Sequence, residues 1–562
     1  MRISVHKANL AALAFLVSAG IGSGTTVADS SDRARHGNPS IHGIDLERST
    51  ILDLQDAMDH HRLSSVELTL FYLNRIDELN PDLHAVIATN PFAIIEAVFS
   101  DIRRARHDLR GPMDGIPVLL KDNVDTRELR ATAGSEALLG ARGRDAFLVT
   151  RLRSAGAVIL AKANLSEWAN FRSFLSSSGW SGVGGQTANP YVLDRNPCGS
   201  SSGSGSGISA NLAVVAIGTE TDGSIVCPSG ANGIVGIKPT LGLISRTGVV
   251  PISAEQDTAG PMARNVTDAA VMLSALTGVD PNDPATADSA GHIARDYTRF
   301  LDRHALRGKR IGLWREITGG DAATDAVFQE FVDAIQRAGA ITVDVSLPLQ
   351  DVVGNNEFPA LLNEFKHDVN AYLAGARGSH PADLQGLIDF DLAHADTELE
   401  FFQQEIFDLS QTQFSGSLTD PDYLAQRAAA TGAARQSIDQ TLADLHLDAI
   451  AAATNSPAWV TTLGQGDNFV FGSSGPAAVA GYPNISVPAG FSGELPVGVS
   501  LFASRFQEPK LISLAFAVEQ TLRARRAPKF LPTLPATSVK SSIAPSAAKA
   551  PTLRSLLPPP LF

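Results

Sequence analysis

The chain has 562 residues, of which 44% are hydrophobic and 19% are charged. This composition can fill a large core, so it excludes a wholly disordered or fibrous protein. Lysine and arginine number 45 against 59 aspartates and glutamates, for a formal net charge of −14. Because an acidic protein is repelled by phosphate backbones, this balance argues against a nucleic-acid partner.

The first 28 residues have the order of a cleavable secretory signal peptide. Arg2 and Lys7 precede an apolar run over residues 8–21, and small residues follow up to Ala28. This order is typical of a signal peptide, and the run is shorter than the roughly 20 residues that a transmembrane helix requires. We therefore expect an exported protein, periplasmic or secreted, without a transmembrane anchor.

Helices and strands alternate along the predicted body, residues 29–528. Apolar residues recur at helical spacing from residue 50 to 80 with a break near Leu63, which predicts two helices, the second capped by Ser64 or Ser65. Short apolar runs predict strands at residues 115–122, 157–161, 309–314 and 481–488, and helical patterns cover residues 147–155 and most of 320–450. The alternation predicts an α/β fold, a single large domain whose mixed β-sheet core is covered by helices on both faces.

The composition changes abruptly after Arg526. Residues 527–562 hold 8 of the 31 prolines, together with many alanines and serines and no acidic residue. Such a segment cannot bury a core. We expect residues 529–562 to form a disordered basic tail.

Cys198 and Cys227 are the two cysteines of the chain. They are too few for a disulfide framework, and no histidine lies near them to complete a zinc site. Export would permit them to pair, but pairing depends on a Cα separation that the sequence does not provide. We expect two free or merely buried thiols rather than a bridge.

A stretch rich in glycine and serine, residues 196–207, is the most unusual part of the sequence. The interpretation as a flexible linker is disfavoured, because apolar runs flank the stretch on both sides. A phosphate-binding loop lacks support, because no Gly-Lys-Ser or Gly-Lys-Thr follows. The Gly-x-Ser-x-Gly match at residues 199–203 lacks the buried strand that precedes a nucleophile elbow.

Hydrolysis of a stable amide needs a nucleophile, a base and donors for the oxyanion. The two serine clusters and Lys121 supply these groups together. Their segments resemble the amidase signature family, and the matching pieces are residues 115–122, 199–201 and 218–240. Residues 164–172 and 220–228 are most similar to the bacterial peptide amidase branch, and the resemblance covers essentially residues 40–525.

The resemblance implies a Ser-Ser-Lys triad. Ser224 is the expected nucleophile, Ser200 the bridging serine on an unusual cis peptide, and Lys121 the base. The backbone N–H groups of Thr221, Asp222, Gly223 and Ser224 are expected to hold the oxyanion.

A lysine acts as a base only if its neutral form is populated, which burial without a paired carboxylate favours. Asp122 need not pair with Lys121, because adjacent strand residues point to opposite faces.

Two positions depart from the commoner family pattern. Cys198 replaces a glycine before Gly199, and Asp222 replaces a glycine in the nucleophile loop, where we expect it to narrow the space for substrate. The remaining serines of the first cluster, Ser201, Ser202, Ser204 and Ser206, are expected to form hydrogen bonds within their loop.

The expected function is therefore the removal of the C-terminal carboxamide of peptides through an acyl-enzyme, with release of ammonia and without a metal or organic cofactor. The expected partner is a small-molecule or peptide amide substrate. Alternatives are an amidase for small aliphatic or aryl amides and a non-catalytic amide-binding protein of the same fold. A component of an amidotransferase that acts on transfer RNA is disfavoured by the export signal and the acidic body. The sequence leaves the oligomeric state open.

Overall fold

The computed structural model describes residues 39–535. The predicted signal peptide, residues 1–28, and the predicted tail from residue 536 on lie outside the described residues. In chain order the strands are β1 (Ser40–Ile41), β2 (Ile44–Asp45), β3 (Val86–Thr89), β4 (Pro117–Lys121), β5 (Ala141–Arg142), β6 (Val158–Ala163), β7 (Trp180–Ser181), β8 (Gly185–Gln186), β9 (Val215–Glu220), β10 (Val235–Lys238), β11 (Thr258–Ala263), β12 (Arg310–Trp314), β13 (Ile341–Val345), β14 (Arg377–Gly378), β15 (Ala449–Ala453), β16 (Asn484–Ser492) and β17 (Leu495–Phe502).

The α-helices of the same residues connect and cover these strands. They are α1 (Ile51–Asp59), α2 (Ser65–Leu83), α3 (Ala93–Ala105), α4 (Phe147–Ser154), α5 (Ser202–Ser209), α6 (Val226–Ala231), α7 (Val266–Leu276), α8 (Ala322–Arg337), α9 (Gln350–Gly375), α10 (Leu384–Ala393), α11 (Glu405–Gln413), α12 (Pro421–Asp444), α13 (Gly475–Ala480) and α14 (Glu508–Leu522). Among residues 39–535, no helix combines the length and apolar content needed to span a bilayer.

A mixed sheet of 11 strands forms the centre of the fold, in the order β13-β12-β15-β17-β16-β10-β11-β9-β4-β6-β3. β4 runs parallel to both β6 and β9, whereas β10, β11, β16 and β17 pair antiparallel with their neighbours. Every residue of β4, β6 and β9 is buried. Because alternate side chains of a strand point to opposite faces, both faces of the sheet are covered here, which confirms the predicted fold class.

The two predicted N-terminal helices form as α1 and α2. Thr50 caps α1 and Ser64 caps α2, and each forms a capping box with the acidic residue three positions later. Such a box satisfies two backbone donors that the first helical turn leaves without partners. The predicted break near Leu63 is therefore a real boundary between helices.

The first residues of the predicted tail contact the folded body. Lys529 Nζ lies 2.9 Å from the Glu494 carboxylate, and Phe530 is buried. The Leu531 N–H donates to the Tyr191 carbonyl at 3.1 Å. Composition alone misses these contacts, because one aromatic side chain and three backbone hydrogen bonds anchor a segment that is otherwise rich in proline and alanine.

Candidate active site

Three parallel strands bring the predicted catalytic segments to one edge of the sheet. Leu120 of β4 is in register with Ile217 of β9 and with Lys162 of β6, so the three strands end side by side. The carboxyl ends of parallel strands in an open sheet are where such folds place their sites. Lys121 is the last residue of β4, and the predicted nucleophile loop follows β9 directly.

Lys121 is fully enclosed, and its ammonium donates to two hydroxyl groups. Its Nζ lies 2.7 Å from Ser200 Oγ and 2.9 Å from Thr219 Oγ1. Desolvation lowers the pKa of Lys121 from 10.5 to about 7, although the charges of Asp257 and Glu220 oppose the shift. The neutral amine is therefore populated near neutral pH, as its predicted role as a base requires.

Asp122 turns away from Lys121, as strand alternation predicts. Its carboxylate lies 3.2 Å from Lys162 Nζ and accepts hydrogen bonds from the backbone N–H and the hydroxyl of Thr132. Both charges of this pair are buried. No carboxylate of the described residues lies within salt-bridge distance of Lys121.

Ser200 and Ser224 lie on neighbouring segments, and the structure brings only the first into hydrogen-bond contact with Lys121. The peptide bond from Gly199 to Ser200 is cis, as the family resemblance implied. The Ser201 N–H donates to the Ser224 carbonyl at 3.2 Å. No hydrogen bond to the Ser224 hydroxyl is present within residues 39–535; Ser224 remains 6% exposed, whereas Ser200 and Lys121 are wholly buried.

The loop between β9 and α6 is shaped by Glu220 and Gly223. The Glu220 carboxylate accepts from the backbone N–H groups of Ile225 at 2.8 Å and Val226 at 3.0 Å. Gly223 has φ +76°, a left-handed conformation that favours glycine. These features turn the chain sharply at Ser224, where the predicted oxyanion donors Thr221, Asp222 and Gly223 precede the nucleophile.

The glycine and serine stretch continues from Ser200 into helix α5, which is buried along its whole length. A Cβ at Gly203 would lie 2.3 Å from the Ala85 carbonyl oxygen, so glycine permits this close packing. The expectation that the other serines bond within their loop was only partly correct. Their hydroxyl groups donate to carbonyls of Thr219, Cys198, Ile217 and Ala188, for Ser201, Ser202, Ser204 and Ser206 respectively.

The cysteines are joined by a disulfide, so the prediction of free thiols was wrong. Cys198 and Cys227 have a Cα separation of 6.0 Å and both are buried. The loop before Ser200 and helix α6 after Ser224 converge in space, although 29 residues separate the two cysteines along the chain. This convergence depends on tertiary structure, which no local sequence pattern revealed.

Several residues of the site carry no signature in the sequence. The Gln256 side-chain amide donates to the Thr221 carbonyl at 3.0 Å and to Glu357 at 2.7 Å. Arg427 donates to Gln256 Oε1 at 3.0 Å and makes a two-pronged bond to Glu364. These partners come from the loop before β11 and from α9 and α12, so only the fold brings them behind the nucleophile loop.

A pair of buried carboxyl groups lies beside this loop. Burial raises the pKa of Asp222 well above its usual range, and the nearby charge of Glu357 raises it further. Burial also raises the pKa of Glu357 to about 7, against the opposing hydrogen bond from Gln256 and the charge of Arg427. Burial thus disfavours the charged form of Asp222, next to the predicted nucleophile.

The arrangement can activate a hydroxyl group without a charged partner. A buried amine with a pKa near 7 touches one serine, and a second serine lies on the adjoining loop beside a turn of backbone N–H groups. Nucleophile, base and oxyanion donors are the parts that amide hydrolysis requires. Among residues 39–535, no group of three or more His, Cys, Asp or Glu side chains is placed to hold a metal ion.

Comparison with known proteins places this arrangement among amidases. The family model described as Amidase matches residues 67–512. The crystal structure of native peptide amidase from Stenotrophomonas maltophilia superposes with a TM-score of 0.83 and 48% sequence identity, over 86% of this chain and 99% of that one.

Curated relatives include enzymes of two kinds. A probable amidase of Arabidopsis thaliana is 42% identical over 498 residues, which is 86% of this chain and 92% of that protein. A component of the glutamyl-tRNA(Gln) amidotransferase of Bdellovibrio bacteriovorus is 32% identical over 492 residues, which is 85% of this chain and 97% of that protein.

Proposed function

This chain belongs to the amidase signature family and is an amide hydrolase, and we propose that it is an exported peptide amidase that converts C-terminal peptide carboxamides to carboxylates with a Ser-Ser-Lys triad. The observation that carries the triad is the environment of Lys121. Its amine is fully buried, bonded to Ser200 Oγ at 2.7 Å, and held near a pKa of 7 by desolvation. A buried lysine with only a structural role would be stabilised by a carboxylate partner. No carboxylate of the described residues forms an ion pair with Lys121.

Acylation begins when Ser224 Oγ attacks the carbonyl carbon of the carboxamide. The Ser224 proton passes to Ser200 Oγ, and the Ser200 proton passes to the neutral Lys121 amine. The carbonyl oxygen becomes an oxyanion, which the N–H groups of the loop at residues 221–224 stabilise. When this tetrahedral intermediate collapses, the C–N bond breaks, and the proton carried by Lys121 returns through Ser200 to the departing ammonia.

Deacylation repeats these proton transfers with water. Neutral Lys121, acting through Ser200, removes a proton as water attacks the ester of Ser224. The oxyanion donors act a second time, the ester bond to Ser224 Oγ breaks, and the carboxylate product leaves. Lys121 is thus a base at the start of each half-reaction and an acid at its end.

The peptide assignment is supported by sequence and by a contact at the site. The chain shares 48% identity with a peptide amidase along nearly all of that enzyme. Residues 164–172, which resemble the peptide amidase branch, lie against the catalytic loop, where the Ser166 N–H donates to the Ser200 carbonyl at 3.0 Å. The part of the chain that most resembles peptide amidases therefore contacts the bridging serine.

Export rests on the order of residues 1–28, with Arg2 and Lys7 before the apolar run and Ala28 at its end. We expect the mature protein recovered from cells to begin at Asp29. Intact-mass measurement of the protein from the periplasm or medium checks this start, and a cytoplasmic protein that retains Met1 or Arg2 contradicts it.

A substrate panel tests the reaction class. Ammonia release is measured for a short peptide carboxamide and for shorter forms of it, truncated from the N-terminus down to the single amino acid amide. An aliphatic amide and an aryl amide complete the panel, and each compound is tested at several concentrations. We expect the highest kcat/KM for the peptide carboxamide and no cleavage of internal peptide bonds. A higher kcat/KM for the aliphatic or aryl amide would assign the chain to the small-amide alternative, and binding without turnover would assign it to the non-catalytic one.

A further inference from the structure

The two cysteines of the chain flank the two catalytic serines. Cys198 lies two residues before Ser200, and Cys227 lies three residues after Ser224. Their disulfide therefore joins the segment that carries the bridging serine to the segment that carries the nucleophile. Neither the family assignment nor the triad accounts for this bond.

Hydrogen bonds also join these two segments close to the serines. The Ser201 hydroxyl accepts from the Thr219 N–H at 3.1 Å and donates to the Thr219 carbonyl at 3.0 Å, directly before the nucleophile loop. The Ser201 N–H donates to the Ser224 carbonyl at 3.2 Å. The Asn232 side-chain amide bridges the Pro197 and Pro228 carbonyls at 2.8 and 2.7 Å. Because proton transfer between two hydroxyl groups requires an oxygen separation below about 3 Å, the relative position of the two segments decides whether the relay can form.

The surroundings of the disulfide offer no substitute for the covalent bond. Cys198 and Cys227 are 3% and 4% exposed and pack with Ala231 and Trp459 in a small apolar cluster. Thiols are weak hydrogen-bond partners. If the disulfide were reduced, the cysteines would keep the backbone hydrogen bonds to Asn196 and Gly223 within their own segments, but only packing would join one cysteine to the other.

We propose that the Cys198–Cys227 disulfide is a positioning element of the catalytic machinery, which holds the segments of Ser200 and Ser224 together so that the oxidised protein is the active form. The inference rests on the proposed roles of the two serines. The bond forms when two thiols lose two electrons and two protons to a disulfide oxidant, which leaves as a dithiol. Cys198, at a position where the commoner family pattern has glycine, thus acquires a function.

The test uses a probe that reports the reactivity of Ser224 without any peptide substrate. A fluorophosphonate reacts when Ser224 Oγ attacks phosphorus, fluoride leaves, and the serine proton passes through Ser200 to Lys121. The second-order labelling rate is measured from pH 5 to 9 on the wild type and on Cys198→Ala, Cys227→Ala and the double variant. Leu511→Ala is the matched control, because it leaves a cavity at a buried position of α14, a helix that packs on α7, α8, β16 and β17, and should lower the melting temperature.

We expect both single variants and the double variant to lose at least about tenfold in labelling rate, with the rise of the rate through pH 7 weakened. The three losses should be equal, because each variant removes the same bond. Leu511→Ala should lose melting temperature and keep its labelling rate. Alkylation of the unfolded, unreduced wild type should modify neither cysteine.

Three results would overturn the proposal. One is a double variant that labels within twofold of the wild type. Another is a loss confined to one single variant, since it would implicate a side chain rather than the bond. The last is alkylation of both cysteines in the unreduced protein. If the double variant does not fold, wild-type protein partly reduced with dithiothreitol replaces it. Equal labelling rates of the reduced and oxidised fractions would then overturn the proposal.

The outcome is separable from that of the proposed function. A chain that hydrolyses aryl amides instead of peptide carboxamides still requires Ser224, Ser200 and the bond between their segments. A failure of the peptide assignment therefore leaves the labelling result unchanged.

Discussion

At the scale of the residue, Lys121 lies in a fully buried environment that disfavours its charged form. Desolvation lowers its pKa from 10.5 to about 7, and the hydroxyl groups of Ser200 and Thr219 are its hydrogen-bond partners. Asp122, the carboxylate next to it in sequence, is neutralised by Lys162 instead. The pairing of Asp122 with Lys162 is what leaves Lys121 free to act as a base.

The first prediction concerns pH. Because the neutral lysine is the base, the rate of Ser224 acylation should rise with pH and level off above about pH 7. Lys121→Met should lower kcat by about 100- to 10,000-fold and abolish the rise. Rates of ammonia release between pH 5 and 9 check both statements, and an unchanged profile in the variant would remove Lys121 from the mechanism.

Lys121→Met, which should lower kcat, should raise the stability of the folded protein. Between about pH 7 and 10 the unfolded chain binds a proton at Lys121 that the native protein does not, so the free energy of unfolding of the wild type rises with pH. Lys121→Met lacks this dependence. It should therefore melt at a higher temperature than the wild type, with the largest difference below pH 7.

Asp222 provides the second prediction. Burial, and then the charge of Glu357, raise the pKa of Asp222 well above its usual range. Its ionisation therefore shifts to higher pH, where it would place a negative charge beside the proposed oxyanion. Activity should therefore fall at high pH in the wild type. Asp222→Asn, which is neutral throughout and similar in shape, should keep activity within a few-fold at pH 7 and lose the alkaline decline; a decline that persists in the variant would assign it to another group.

The residues of this site differ in how far sequence reveals them. Lys121, Ser200 and Ser224 follow from spacing that resembles a known family, because chemistry fixes their types and order. The Cys198–Cys227 bond does not follow, since it depends on where two loops meet. Gln256, Glu357 and Arg427 were missed because polar residues in ordinary helices and loops become part of a site only through packing.

At the scale of the element, the nucleophile loop is held from behind by other parts of the fold. Two hydrogen bonds hold Thr221. Its carbonyl accepts from the Gln256 side-chain amide, and its hydroxyl donates to the Asp257 carboxylate at 2.5 Å. Asp257 in turn accepts from the Ile252 and Ser253 N–H groups. The loop before β11 therefore holds Thr221, one of the proposed oxyanion donors.

The third prediction tests this support. Gln256→Leu removes the bond to Thr221 and leaves Glu357 without its donor, so we expect a loss of about tenfold in kcat with little change in KM. The loss of buried hydrogen bonds should also cost about 1–3 kcal/mol of unfolding free energy. Gln385→Leu, at an exposed bond on α10, is the matched control and should change neither quantity. Equal kcat values for the two variants would show that the bond from Gln256 to the nucleophile loop has no catalytic role.

Elements were more predictable than their contacts. The helices α1, α2 and α4 and the strands β4 and β6 lie where periodicity and turn residues placed them, because the free energy of burying one face imposes a repeat on the sequence. Helix α5 could not be recognised in this way. It is made almost entirely of serine and glycine, which are poor helix formers, and tertiary packing overrides that preference.

At the scale of the whole molecule, the folded body extends at least to Leu534, which packs against the cluster of Tyr191 and Leu495, past the residue where composition places the tail. The fourth prediction follows from these contacts. Truncation after residue 535 should leave the melting temperature unchanged, whereas truncation after Pro528 removes the buried Phe530 and the backbone bonds of Leu531. Burial of one aromatic side chain contributes about 1.5–3 kcal/mol, so the shorter protein should melt lower; identical melting curves would show that these contacts contribute nothing.

Distant parts of the chain assemble the candidate site. β4, β6 and β9 come from the first part of the body, whereas α9 and α12 supply Glu357 and Arg427. The family match over residues 67–512 spans both. The central claim is therefore one about the complete domain, namely that it deamidates peptide carboxamides with Ser224 as nucleophile.

One measurement tests that claim most directly. The purified mature protein is incubated with a short peptide that ends in a carboxamide, and the products are identified by mass spectrometry beside those of Ser224→Ala and of Ser206→Ala, a buried serine of α5 that bonds to the Ala188 carbonyl. We predict conversion of the terminal carboxamide to the acid with internal bonds intact, by the wild type and Ser206→Ala and not by Ser224→Ala. An unchanged peptide would contradict the substrate, and conversion that persists in Ser224→Ala would contradict the triad.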